Sequence, residues 1–157
     1  MRTFLQMLVI GAALAAGAVV AATAADPAIG TWKLNVAKTK FGAGPGFQSQ
    51  SRTYAAADDG LKLTFTGVAA DGSSVSGEST YKYDGKDYPI SGSASYDTLA
   101  VTRVNSHTAK AIQKKAGKAV GSTVRTVSKD GSVMTLVTKG TNADGKAFTS
   151  TLVFDKQ

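Results

Sequence analysis

The side chains able to do chemistry in this sequence are few and scattered. The single histidine, His107, follows Ser106 at a turn. Neighbours in an extended chain point to opposite faces, so these two cannot form the hydroxyl–imidazole pair of a hydrolase. Most of the acids sit in or beside Asp-Gly steps, where aspartate is first of all a turn residue. Glu78 alone falls in mid-strand, which leaves no pair of carboxylates for general acid–base work. The stretch Gly140-Thr141-Asn142-Ala143-Asp144-Gly145-Lys146-Ala147 approaches a phosphate-binding loop. It carries Ala147 where Ser or Thr would hold magnesium, and no helix follows, so it reads as a hairpin. Asn142 and Asp144 supply too few oxygens for a calcium loop. With no cysteine and one imidazole, a dedicated metal centre is not expected. No cofactor is indicated and no catalytic residue stands out, so the sequence reads as a non-enzyme.

The remaining candidates are groups that bind and do not react. Arg52 falls on the parity of Tyr54, and Arg103 on that of Leu99 and Val101. Turned inward, either guanidinium would meet the carboxylate or phosphate of an amphipathic ligand; turned outward, it would reach solvent. Arg125 shares a face with Thr123 and Val127, and its direction is open. Parity gathers Leu61, Leu63 and Phe65 on one inward face, and Phe148, Leu152 and Phe154 on another. Trp32, Leu34 and Val36 form a third, opposite Lys33 and Asn35. Val75, Tyr81 and Tyr83 share a face that also carries Gly77 and Ser79. The candidate ligand contacts are therefore Arg52, Tyr54, Phe65, Tyr81, Tyr83 and Arg103.

The elements that must position these groups are strands. Asp-Gly recurs at Asp59-Gly60, Asp71-Gly72, Asp84-Gly85, Asp130-Gly131 and Asp144-Gly145, a dipeptide suited to the positive φ angles of tight hairpin turns. Asn105-Ser106 and Ala116-Gly117 are weaker turns between them. Turns lie about twelve to fourteen residues apart, except where a strand and the loop 91–97 fill a longer gap. Between turns the chain alternates Val, Thr, Tyr, Phe and Ser with period two. About ten strands are expected, at 30–36, 48–56, 61–68, 74–83, 86–90, 99–104, 108–114, 120–128, 132–139 and 147–155. A meander of short hairpins removes its two exposed edges by closing on itself, so the expected fold is all-β, a single antiparallel up-and-down barrel. A two-sheet sandwich would need longer crossovers. The small residues at 77 and 79 leave interior room, which is either filled by large side chains from opposite strands or kept as a cavity.

Composition sets the class and the compartment. Charged residues are 18% against 43% hydrophobic, which excludes a disordered polyelectrolyte. Arg2 followed by the uncharged run 4–20 and by Ala22-Thr23-Ala24 has the layout of a secretory signal peptide cleaved after Ala24. The alternative, an uncleaved anchor, is opposed by the Ala/Gly-rich composition and the small residues at its end. Residues 1–24 are thus expected to be a signal peptide and residues 25–157 one barrel domain, periplasmic or secreted, with no transmembrane domain after processing. The net charge of +7 and the cluster Lys110, Lys114, Lys115 and Lys118 would suggest nucleic acid in the cytoplasm. Export removes that partner, and no basic–aromatic interleaving is visible. An anionic envelope surface is the expected counter-surface, unless the lysines only keep a β-rich protein soluble.

Gly30-Thr31-Trp32 at the head of the first strand resembles the G-x-W that opens lipocalins and fatty-acid-binding proteins. The longer string Gly30-Thr31-Trp32-Lys33-Leu34-Asn35 with Lys38, Lys40 and Phe41 is similar to an uncharacterised group of exported bacterial lipocalin-like proteins, over nearly the whole mature chain. The resemblance implies a calycin barrel that Trp32 closes at one end, and the binding or carriage of a small hydrophobic or amphipathic ligand. Its alternative is a packed barrel acting as a non-catalytic, envelope-associated interaction module. Two departures limit the resemblance. The segment 42–46 is too short for the two-helix lid of the fatty-acid-binding group, and the last strand lacks the Arg-x-Tyr pair that holds a fatty carboxylate there.

Overall fold

The computed structural model describes residues 24–142 and 144–157. The signal segment expected at residues 1–24 therefore lies, but for its last residue, outside the described part. Ten strands follow: β1 Gly30–Leu34, β2 Phe47–Ala57, β3 Gly60–Ala69, β4 Ser74–Lys82, β5 Asp84–Pro89, β6 Thr98–Asn105, β7 Thr108–Lys115, β8 Lys118–Val127, β9 Val133–Thr141 and β10 Ala147–Lys156. One 3₁₀ turn, Val36–Lys38, separates β1 from β2.

All ten strands belong to one antiparallel sheet in the order β4-β3-β2-β1-β10-β9-β8-β7-β6-β5. The first strand pairs with the last, Trp32 opposite Lys156 and Leu34 opposite Phe154, and every other pair of neighbouring strands is consecutive in sequence. The expected up-and-down barrel is what forms, nearly closed, with its single seam between β4 and β5. We call the end where β1 begins the lower end; the loops after residues 34, 69, 89, 115 and 141 gather at the upper end.

The seam corrects one expectation. Asp84-Gly85 was expected to turn a hairpin between the fourth and fifth strands, yet Asp84 already lies in β5, opposite Thr102, with a register irregularity before Asp87. Its carboxylate accepts from the Lys86 backbone N–H (3.0 Å) and the Tyr88 hydroxyl (2.9 Å), which bends the chain locally without forming a ladder to β4. Isolated bonds stitch the seam instead. Ser91 N donates to Glu78 O (3.0 Å), Glu78 N to Ser91 Oγ (3.0 Å) and Ser79 Oγ to Pro89 O (2.8 Å). The chain after β5 thereby covers the β4 edge, a standard defence against edge-to-edge association.

Alternation fills the lower barrel. Trp32, Leu61, Met134 and Phe154 are the largest fully buried side chains. Residues before β1 fold across this end: Ala28 is fully buried, and its carbonyl accepts from the Trp32 indole Nε1 at 2.8 Å. The Lys156 ammonium lies 5.2 Å from the indole centroid. Val36 departs from the expected inward parity and is 46% exposed. The strand stops at Leu34 because Asn35 caps the 3₁₀ turn, its Oδ1 accepting from Lys38 N at 3.2 Å.

Glycine is required where the seam closes. A Cβ on Gly77 would stand 2.2 Å from Ser91 O, and one on Gly92 2.0 Å from Ser76 O, with Gly92 also at φ +79°. Gly77→Ala and Gly92→Ala are each expected to cost about 1–3 kcal/mol, since backbone cannot yield as a side-chain tip does. The measurement is the urea midpoint; unchanged midpoints in both variants would show that the seam tolerates separation.

Candidate functional site

The upper half of the barrel is hollow. A cavity of about 590 Å³ opens between the chain around Ala43–Phe47, the loop Gly92–Tyr96 and the β9–β10 turn. Strand alternation decides what enters it. On β2, Gln50, Arg52 and Tyr54 share the inward face; a register irregularity between Phe47 and Ser49 precedes them. On β8 the face of Thr123, Arg125 and Val127, which parity left open, is the inner one, with Arg125 8% and Val127 3% exposed. Arg125 thus stands low in the cavity and Arg52 midway up its wall, with Tyr54 between them.

The two guanidiniums are held by neutral groups. Arg125 donates from Nη1 to the Tyr81 hydroxyl (2.9 Å) and from Nη2 to the Tyr83 hydroxyl (2.6 Å), and its central carbon lies 4.9 Å from the Tyr54 ring centroid. Arg52 donates from Nε to Gln50 Oε1 (2.8 Å) and stacks 5.6 Å from the Phe65 and 5.5 Å from the Phe154 ring centroids. Neither forms an ion pair; the described residues hold ion pairs only at the surface and at Asp26. The nearest route from Arg125 to an acid is indirect. The Tyr83 hydroxyl accepts from Arg125 and donates to Asp26 Oδ2 at 2.6 Å.

Ionisation follows this geometry. Burial opposes charge on Tyr54, but the positive fields of Arg52 and Arg125 win and hold its phenol below the ordinary tyrosine range. Burial pushes Tyr81 well above that range despite Arg125. Burial likewise works against charge on Arg125, and the surrounding phenol oxygens outweigh it, so the guanidinium stays protonated. Asp26, half-buried, is pushed up by desolvation but pulled below the usual carboxylate range by hydrogen bonds from Tyr83, Arg103 and the Ala28 N–H.

Of the ligand contacts expected from the sequence, Arg52, Tyr54, Phe65 and Tyr81 line the cavity. Arg103 and Tyr83 do not, which corrects both. Arg103 pairs with Asp26 at 2.7 Å and lies 3.9 Å from the Tyr83 ring centroid, with its side chain 38% exposed. Tyr83 sits beneath the cavity as the relay between Arg125 and Asp26. The reason is Asp26: a carboxylate folded under the barrel draws both groups downward. Sequence reasoning missed Gln50, Gln113, Thr138 and Ser150, all of which face the cavity. The period-two pattern holds their positions, but alternation reads apolar residues as inward and passes over polar ones.

Outside the cavity, Lys110, Lys115 and Lys118 are exposed, while Lys114 pairs with Asp87 at 2.7 Å. His107 occupies the β6–β7 turn, its Nδ1 3.2 Å from Val127 O. Among the described residues no group of three or more His, Cys, Asp or Glu is placed to hold a metal ion, and no helix is long and apolar enough to cross a membrane. No protein-family model matches the chain, and neither does any curated protein.

The relay under the cavity makes stability sensitive to alkali. Burial, reinforced by the bond to Asp26 and opposed by Arg125, pushes the Tyr83 phenol up to about 12. An unfolded tyrosine ionises near 10, so the unfolded chain loses this proton first. The contribution is fully present below about pH 10 and is lost as pH rises towards about 12. The urea midpoint is expected to fall across this window, and less steeply in Tyr83→Phe. Identical slopes in the two proteins would contradict the assignment.

Proposed function

We propose that this chain is an exported, lipocalin-like protein that binds or carries a small amphipathic molecule with an acidic head. Arg52 and Arg125 receive the carboxylate or phosphate, and the apolar body occupies the remaining cavity. The observation that carries this reading is the pair of guanidiniums lining a 590 Å³ cavity without a carboxylate partner. A buried cation left without an opposite charge costs several kcal/mol, and an anionic ligand supplies that charge in a form that charge-assisted hydrogen bonds reward. Tyr54, whose phenol already responds to both arginines, stands where the head would be gripped.

The alternative, a packed barrel serving as a non-catalytic envelope module, draws its support from the exposed lysines of the β7–β8 hairpin. Each contributes at most about 1 kcal/mol near an anionic membrane. The hollow interior favours the container. Among the described residues the cavity lining holds a single acid, Asp144, and no pair of them.

Native mass spectrometry of protein from its own host is expected to find a retained small acid. A panel of acidic amphiphiles, straight-chain and polycyclic, is expected to raise the melting temperature, since saturation at 100 times Kd stabilises by about 2.7 kcal/mol. Arg52→Met and Arg125→Met are each expected to weaken binding about tenfold to a hundredfold, the loss of a charged hydrogen bond, while Arg103→Met leaves it unchanged. An empty protein with no thermal shift across the panel would sink carriage. Full affinity in both cavity variants would place the head elsewhere.

A further inference from the structure

The cavity wall is divided along its length as well as between floor and mouth. Going round the barrel from β3 through the seam to β6, the strand and strand-end side chains that line it are Leu63, Phe65, Val75, Ile90, Leu99 and Val101. Of the strand side chains on this arc Tyr81 carries the polar atom, a hydroxyl already used by Arg125, while Ser93, Ser95 and Tyr96 line it from the loop at the mouth. Going the other way, from β7 through β10 to β2, the wall carries Gln113, Thr123, Thr138, Ser150, Gln50 and Arg52. Polar groups occur at several heights here, from near the mouth down to Arg125. Apolar residues lie among them on every one of these strands: Ala109 and Ala111 on β7, Val120 on β8, Leu136 on β9, Phe148 and Leu152 on β10, and Phe47 on β2.

Part of this polar wall is satisfied and part is not. Gln113 Nε2 donates to Thr123 Oγ1 (3.1 Å), and Thr123 and Thr138 share a hydrogen bond of 2.8 Å. Gln50 and Ser150 are each only 3% exposed. Gln50 accepts from Arg52 Nε, and among the described residues its amide nitrogen and the Ser150 hydroxyl form no hydrogen bond and belong to residues that line the cavity. Facing the lumen, these groups are free to pair with oxygens of something that enters; the buried side-chain atom left without a partner among the described residues, Thr98 Oγ1, lies outside this wall.

We infer that the ligand is amphipathic across its width: a rigid, polycyclic acid with hydroxyl or carbonyl oxygens on one face and hydrocarbon on the other. This rests on the carrier reading and narrows it. A straight-chain acid satisfies the arginines with its head but lays methylenes against Gln50, Ser150 and Thr138. A facially oxygenated ring system pairs those groups while its hydrocarbon face packs on Phe65, Leu99 and Val101.

Titration calorimetry with cholate, lithocholate and dodecanoate tests the inference, because all three share the carboxylate. Cholate carries ring hydroxyls on one face that lithocholate lacks. Cholate is expected to bind at least about tenfold more tightly than either, as a site built to pair hydroxyls rejects analogues without them. Ser150→Ala and Thr138→Val are expected to narrow the gap between cholate and lithocholate by weakening cholate alone. Urea midpoints near that of the parent protein would confirm that both variants fold. Lithocholate or dodecanoate binding as tightly as cholate, with the arginine dependence intact, would overturn the facial inference and leave the carrier reading standing. Equal loss for all three acids in the Ser150 and Thr138 variants would also overturn it. No binding of any of the acids would remove the carrier reading and this inference together.

Discussion

The pairing of β1 with β10 is the constraint on which the rest of the molecule depends. Trp32 opposite Lys156 and Leu34 opposite Phe154 bring the two ends of the meander into one ladder, and only that contact turns ten alternating strands into an object with an inside. Once the ring is drawn together, the period of two sorts side chains into lumen and solvent without further instruction. The lower end then fills itself with Trp32, Leu61, Met134 and Phe154. Smaller and polar residues higher up leave the space open. The seam falls between β4 and β5, where Asp84 already pairs with Thr102 of β6 and isolated bonds of Ser79 and Ser91 stand in place of a ladder.

Inside the ring, electrostatics follow from a shortage of acids. Asp26 reaches the lower end from the segment before β1 and takes the Tyr83 hydroxyl and the Arg103 guanidinium. That leaves Arg125 tied to phenols and Arg52 to an amide. A buried guanidinium surrounded by neutral oxygens is hydrogen-bonded but not neutralised, and the low-dielectric interior makes the difference felt. Tyr54 registers it most directly, since its phenol is fully enclosed and still drawn towards ionisation by the two cations. The proposed anionic ligand completes this arrangement from the mouth as Asp26 does from below.

The division of the wall into polar and apolar arcs has a simple origin in topology. Strands adjacent in sequence are adjacent in space, so a stretch of chain with one composition becomes a sector of the barrel. The inward residues of β3 to β6 are aliphatic and aromatic apart from Gly77 and Ser79 of β4, whose hydroxyl is used across the seam, and they form one sector. Those of β7 to β10 mix Thr, Gln, Ser and Arg with leucines and form the other, which β2 extends across β1. A fold with long crossovers would have shuffled these sectors.

The all-β class, the strand count, nearly every strand position and the burial of Trp32, Leu63, Phe65 and Phe154 were legible in the sequence, because turn dipeptides and alternation are local properties of neighbouring residues. Phe65 and Tyr81 could be placed by parity for the same reason, and Arg52 could be set on the face of Tyr54, with its direction left open. Arg103 and Tyr83 could not, since what draws them out of the cavity is Asp26, distant in sequence and brought beneath the barrel by the fold. Parity also could not choose a side for Arg125: alternation says which residues share a face, and only closure of the ring says which face is inside. The cavity itself belongs to the tertiary structure alone, because empty volume depends on how side chains from strands far apart in the chain meet across the lumen, and no local pattern carries that distance.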